Sequence, residues 1–99
     1  MLSLDDYLAL DATALGAGIA AGDFSATEVT QCAVERAQVV NPSLNAIIHT
    51  DYDGARERSQ TSNPARSSLS GVPFLIKDLS PAAGLPVNFG SALFKDTVA

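Results

Sequence analysis

Only two lysines occur in the 99 residues, and one of them, Lys77, closes the apolar run Val72-Pro73-Phe74-Leu75-Ile76. A lysine at the end of a covered strand is a candidate proton acceptor, because burial disfavours the charged ammonium and leaves a neutral amine. The common alternative is a strand-end lysine that turns outward on its aliphatic stem and pairs with the adjacent Asp78. Spacing alone gives that alternative the larger share, since strand-end ion pairs are frequent and catalytic lysines rare.

The other chemistry-bearing residues form no constellation in sequence. His49 is the single histidine, and a serine–histidine–aspartate triad would have to use it, with Asp51 close by. No serine stands in a Gly-x-Ser-x-Gly elbow, so His49 reads as a strand-end or surface residue. One histidine and one cysteine provide no metal-ligand spacing. Cys32 lies on the apolar face of a helix and reads as a small core residue. Asp5 with Asp6, and Asp51 with Asp53, read as capping or solvated charges rather than a paired-carboxylate site. Gly16-Ala17-Gly18 falls inside a helical pattern with no strand before it, which excludes a phosphate loop. Ser67, Ser68, Ser70, Ser80 and Ser91 read as turn residues.

The elements that must position Lys77 follow from periodicity and punctuation. Leu4 to Ala21 is rich in Ala and Leu. Ala12, Leu15, Ile19 and Gly22 keep helical spacing, Leu8 extends the stripe, Asp11 is the cap and Gly22 the stop. Gly16 and Gly18 each weaken that helix by up to about 1 kcal/mol relative to Ala, or permit close packing. Ser25-Ala26-Thr27-Glu28 is a capping box that opens a second helix, with Val29, Cys32, Ala33, Ala37 and Val40 on one face. Asn41-Pro42 ends it near Val40, because the residue before proline is driven out of helical space. The two helices make a hairpin turning at Gly22-Asp23. Leu44 to Thr50 reads as a strand and Tyr52 to Gln60 as an exposed helix in which Asp53 and Arg56 can pair. Thr61 to Ser70 is a loop. Gly71 to Leu79 reads as a strand covered on both faces, with Pro73 at its start. A turn-rich connection through Pro81, Gly84, Pro86 and Gly90 leads to Ala92–Ala99, read as the start of a further helix.

Gly71-Val72-Pro73-Phe74-Leu75-Ile76-Lys77-Asp78 resembles the lysine-bearing motif of the amidase signature family. Ser25-Ala26-Thr27-Glu28-Val29 and Asn41-Pro42-Ser43-Leu44-Asn45-Ala46 resemble its N-terminal helix and the stretch after it. Gly84-Leu85-Pro86 and Gly90-Ser91 resemble the family's stretch downstream of the lysine. The resemblance runs from about Asp11 to Phe94, and the order of three separate segments makes it more specific than any one. It implies hydrolysis or transfer of amide groups by a serine–cis-serine–lysine triad. Lys77 would then take the proton of the bridging serine, which activates the nucleophilic serine. Backbone amides would hold the oxyanion. It reverses the balance on Lys77 in favour of chemistry. Two positions depart from the family pattern: Ser67-Ser68 stand where Gly-Pro is frequent, and Val87 stands where threonine is usual. The Gly/Ser-rich segment carrying the two serines is expected after residue 99, so the chain alone is expected to be inactive.

The resemblance and the periodicity together predict an α/β architecture. Residues 1–43 form a helical hairpin and residues 44–99 begin the α/β core, with strands of a mixed sheet, an incomplete part of the amidase signature fold. A small amide substrate is the implied partner, with no cofactor and no metal. The competing readings are a non-catalytic interaction module and an amidotransferase A-type subunit. A net charge of -5 argues against direct nucleic-acid binding or an anionic membrane. The single cysteine, the missing bilayer-length apolar run and the acidic N-terminus predict a cytoplasmic protein. Charged residues are only 17% of a chain that is 46% hydrophobic. A domain this small needs more charge to cover its surface. That shortage predicts a chain that packs against the remainder of an amidase domain, and a motif strand that needs neighbours on both faces, in a chain with few strands, predicts poor folding alone.

Overall fold

The computed structural model describes residues 1–99. Four α-helices carry the order of the molecule: α1 (Leu4–Ala9), α2 (Ala12–Ala21), α3 (Ala26–Leu44) and α4 (Tyr52–Gln60). A single 3-10 turn at Ala92–Phe94 comes much later.

The N-terminal helical stretch is two helices rather than one. Ser3 caps α1 through a bond from the Asp6 amide at 3.1 Å. Leu10 leaves helical space, and Asp11 then restarts the chain as α2, accepting from the Ala14 amide at 2.8 Å. Gly22, at φ 79°, ends α2 in the left-handed region as its position predicts. The Ser25–Glu28 capping box forms in full: the Glu28 amide donates to Ser25 Oγ and the Ser25 amide to Glu28 Oε2, both at 3.1 Å.

Helix α3 does not stop at Val40. It passes through Pro42 and runs to Leu44. Proline removes one donor, but the turn beyond it is held from the side by Asn41. The Asn41 carboxamide oxygen accepts from the amides of Ala46 and Ile47 at 3.0 and 2.8 Å, and its nitrogen donates to the Ile47 carbonyl at 2.9 Å. Asn45 takes φ 48° and donates to the Asn41 carbonyl, a left-handed cap that asparagine tolerates.

The predicted α/β architecture is not what forms. No strand of a mixed sheet is present; the only β pairing is one antiparallel bridge, Pro86 with Val98. The Leu44–Thr50 strand is replaced by the last turn of α3 and the loop that Asn41 holds, which consumes the amides a ladder would use. The Gly71–Leu79 stretch is irregular chain with a turn at each end and no ladder partner. None of the amides from Phe74 to Leu79 donates to a backbone carbonyl. Instead of being covered on both faces, Phe74 is 86% and Leu75 74% exposed. The helix expected over Ala92–Ala99 shrinks to the 3-10 turn, after which the chain returns to pair with residues 84–87.

The core is small and helical. Leu15, Ile19, Ala26 and Val29 form it, with Leu2, Tyr7, Phe24 and Val72 packed around them. Val29 is the one side chain wholly withdrawn from solvent. Helices α1 and α4 both pack on α3. Across α3 and α4, Thr27 Oγ1 meets Ser59 Oγ at 3.2 Å and Arg56 Nε donates to Gln31 Oε1 at 3.2 Å. The Asp53–Arg56 pair expected along α4 forms at 3.1 Å. Cys32 is buried on α3, and burial followed by the nearby Glu35 and Glu28 carboxylates pushes its thiol up, which suits an inert packing residue. The radius of gyration, 14.6 Å, exceeds the roughly 13 Å of a compact chain of this length.

Candidate functional site

The Lys77 motif is attached to the helical core at its first residues. Gly71 turns the chain at φ 83° beside Ala26 and Ile19, and Val72 packs on the core cluster. Just upstream, the backbone carbonyl of Ser68 lies against Gly16 of α2 where a Cβ would stand, and the Phe24 ring does the same at Gly18. The two glycines therefore serve close packing, the alternative to their cost in helix propensity. From Val72 onward the motif leaves the core, so Phe74, Leu75, Ile76 and Leu79 make an exposed apolar ridge around the exposed Lys77.

Lys77 does not pair with Asp78. The ion pairs of the molecule are Arg56–Asp53 and Arg58–Asp51, both on or beside α4. Asp51 is thus engaged at 2.8 Å by Arg58, while His49 meets Asn88 instead. The chain turns directly after the lysine, with the Ser80 amide donating to the Lys77 carbonyl at 2.9 Å.

Asp78 instead reaches across to the next connection. Its Oδ1 accepts from the Asn88 amide at 2.8 Å and its Oδ2 from the Gly90 amide at 3.0 Å. These amides converge because Phe89 and Gly90 adopt φ 53° and 69°. The two backbone donors hold the Asp78 carboxyl below the usual aspartate range; partial desolvation opposes them, while His49 and the Phe89 amide reinforce them. Asn88 extends the cluster. With its amide oriented by the hydrogen-bond network, its oxygen accepts from His49 Nε2 at 3.1 Å. Its nitrogen then donates to the carbonyls of Phe94 and Lys95, each at 3.3 Å.

The loop so gathered has its own small anchor. Val87 is 3% exposed, and its amide donates to the Thr97 carbonyl at 3.0 Å. Phe89 and Phe94 meet edge to face with centroids 5.3 Å apart. Ser67 and Ser91 act as turn acceptors, for the Leu69 and Leu93 amides. No group of three or more His, Cys, Asp or Glu side chains converges on a common point. No helix is long and apolar enough to cross a membrane.

Sequence reasoning singles out Lys77, which stands at the end of an apolar segment, but misses the Asp78–Asn88–His49 cluster. Nothing in the spacing of these residues signals it; the only local hint is the Gly90 that permits the turn.

The exposed apolar ridge thus leads to Lys77, and Asp78 beside it gathers the next loop. The sequence pattern of the Amidase family matches residues 28–99, and the chain belongs to that family. Among curated relatives it is 35% identical over 96 residues to an acylamidase of Rhodococcus erythropolis, covering 91% of this chain and 20% of the relative. It is 38% identical over 89 residues to a putative amidase AmiC of Mycobacterium tuberculosis, covering 89% of this chain and 19% of the relative. It is 30% identical over 102 residues to the A-type subunit of a glutamyl-tRNA(Gln) amidotransferase from Streptomyces coelicolor, covering 93% of this chain and 20% of the relative. The chain spans about a fifth of the length of these relatives. No solved structure matches it.

Proposed function

We propose that this chain supplies the lysine of a serine–cis-serine–lysine site that cleaves the carbon–nitrogen bond of a small amide, with Lys77 as the triad base. The observation that carries the reading is the position of Lys77: it stands in the Gly71–Asp78 motif, inside the matched residues 28–99, on an apolar ridge. Chain outside residues 1–99 supplies both serines and packs on Phe74, Leu75 and Leu79. That packing strips water from the amine and favours its neutral, proton-accepting form. Neutral Lys77 takes the proton of the bridging serine, and that serine takes the proton of the nucleophile as it attacks the amide carbonyl. When the C–N bond breaks, the bridging serine gives one proton to the leaving nitrogen and recovers its own from Lys77, and water then releases the acyl group. Residues 1–99 alone are inactive on this reading, and the protein works in the cytoplasm.

An amidotransferase A-type role uses the same Lys77 chemistry, and the 30% identity to an amidotransferase, at equal coverage, keeps it in view. The test is amide hydrolysis by the gene product that carries these residues, read as ammonia or amine release across a panel of aliphatic and aromatic amides and glutamine. Lys77→Ala should lower kcat by about a hundredfold or more, the range of a lost general base. Wild-type turnover in that variant would remove Lys77 from the mechanism. Release from glutamine alone, stimulated by a second protein, would favour the amidotransferase.

A further inference from the structure

We propose that Asp78 is the positioning residue for Lys77: its carboxylate, bound to the Asn88 and Gly90 amides, clamps the Lys77 segment onto the turn at residues 88–90. For what Lys77 does, this rests on the amidase reading; for the clamp itself, it rests on geometry alone. The Lys77 segment has almost no other restraint. Its amides from Phe74 to Leu79 make no backbone bonds, its apolar side chains face solvent, and beyond Val72 it has left the core. A lysine on such a segment needs a fixed point close to its Cα, and the next residue provides it.

The clamp uses both oxygens, at 2.8 and 3.0 Å, and neither pairs with the Lys77 amine. It thereby fixes the backbone while leaving the amine open to another acceptor or donor. The far side is made firm in turn. Asn88 is held through its side chain by His49 and by the Phe94 and Lys95 carbonyls, and Val87 beside it is buried. Phe89 sits at φ 53°, a conformation that disfavours a residue with a Cβ, and two bonds from one carboxylate hold the turn that contains it.

The test combines two readouts on Asp78→Asn and Asp78→Glu. Asparagine keeps the size and loses one acceptor; glutamate keeps both acceptors on a longer arm. In the gene product that carries these residues, backbone 15N relaxation should show Lys77 and residues 87–90 gaining mobility together in Asp78→Asn. Amide exchange in α2 and α3 should stay as in the wild type, which excludes general unfolding. Asp78→Glu should recover part of the order. In the gene product, Asp78→Asn should lower kcat by about tenfold to a hundredfold, the cost of a slightly misplaced group, with KM unchanged. Unchanged relaxation at Lys77 overturns the clamp. Relaxation that rises while kcat stays at the wild-type value overturns the positioning role. A wild-type gene product that hydrolyses no amide, or a fully active Lys77→Ala variant, defeats the amidase reading instead and leaves the relaxation result to decide the clamp.

Discussion

Asp78 and Ser25 show how single side chains govern this chain through backbone amides. The Asp78 carboxyl lies below the ordinary aspartate range because the Asn88 and Gly90 amides prefer the ionised form, with the facing His49 adding to them. A folded value below the unfolded one means that the ionised clamp stabilises the fold fully above the unfolded aspartate value. That contribution is lost as pH falls through the lowered folded value. The Asn88 and Gly90 amide proton shifts should therefore titrate together at a pH below the ordinary aspartate value. In Asp78→Asn this titration should vanish; its persistence would assign it to another group. Ser25 acts on a helix end. Its hydroxyl and amide both bond Glu28, so Ser25→Ala should cost about 1 kcal/mol. In a domain of this size that lowers Tm by about 4–8 °C. An unchanged Tm would show the box to be idle.

At the scale of elements, what was legible in the sequence was whatever neighbouring residues decide. The Ser25–Glu28 box, the Gly22 stop, the Asp11 cap and helix α4 depend on contacts within four residues, and all stand where spacing predicts them. The two strands failed because a strand is a relation between segments. Val72–Ile76 has strand composition but no partner ladder, and Leu44–Thr50 lost its amides to Asn41, three residues before it. The end of α3 failed for a related reason: Pro42 argues for a stop only if nothing repairs the turn beyond it. Around the candidate site, the motif singles out Lys77 as the residue to test, whereas the bonds from a turn ten residues on to Asp78 leave no mark in the spacing. The α2 glycines allow a direct contest of magnitudes. Gly16→Ala gains about 1 kcal/mol in helix propensity, but its methyl must displace the Ser68 carbonyl. Overpacking typically costs about 1–3 kcal/mol, so the net effect should be a lower urea midpoint. A raised midpoint would mean that the loop before the motif is not seated on α2.

For the whole molecule, the surface is the decisive quantity. The chain exposes 6784 Å², against about 5,300 Å² for a folded monomer of this mass. Only 11 of its 99 residues are buried, so the core cannot be what the apolar ridge serves. Phe74 and Leu75 lie in water and contribute almost nothing to the stability of residues 1–99. Replacing both with serine should leave the stability of the chain within about 0.5 kcal/mol of wild type by urea unfolding, the usual range for exposed positions. The same change should reduce binding of a hydrophobic dye such as ANS. In the gene product, where the amidase reading has other chain packed on the ridge, the double substitution should cost several kcal/mol. Each buried aromatic or leucine side chain contributes about 1.5–3 kcal/mol relative to exposure. Equal and small losses in both settings would show that nothing covers the ridge. A large loss in the isolated chain would show that it already packs on itself. A difference between the two settings measures how much of the fold around Lys77 is completed from outside these 99 residues.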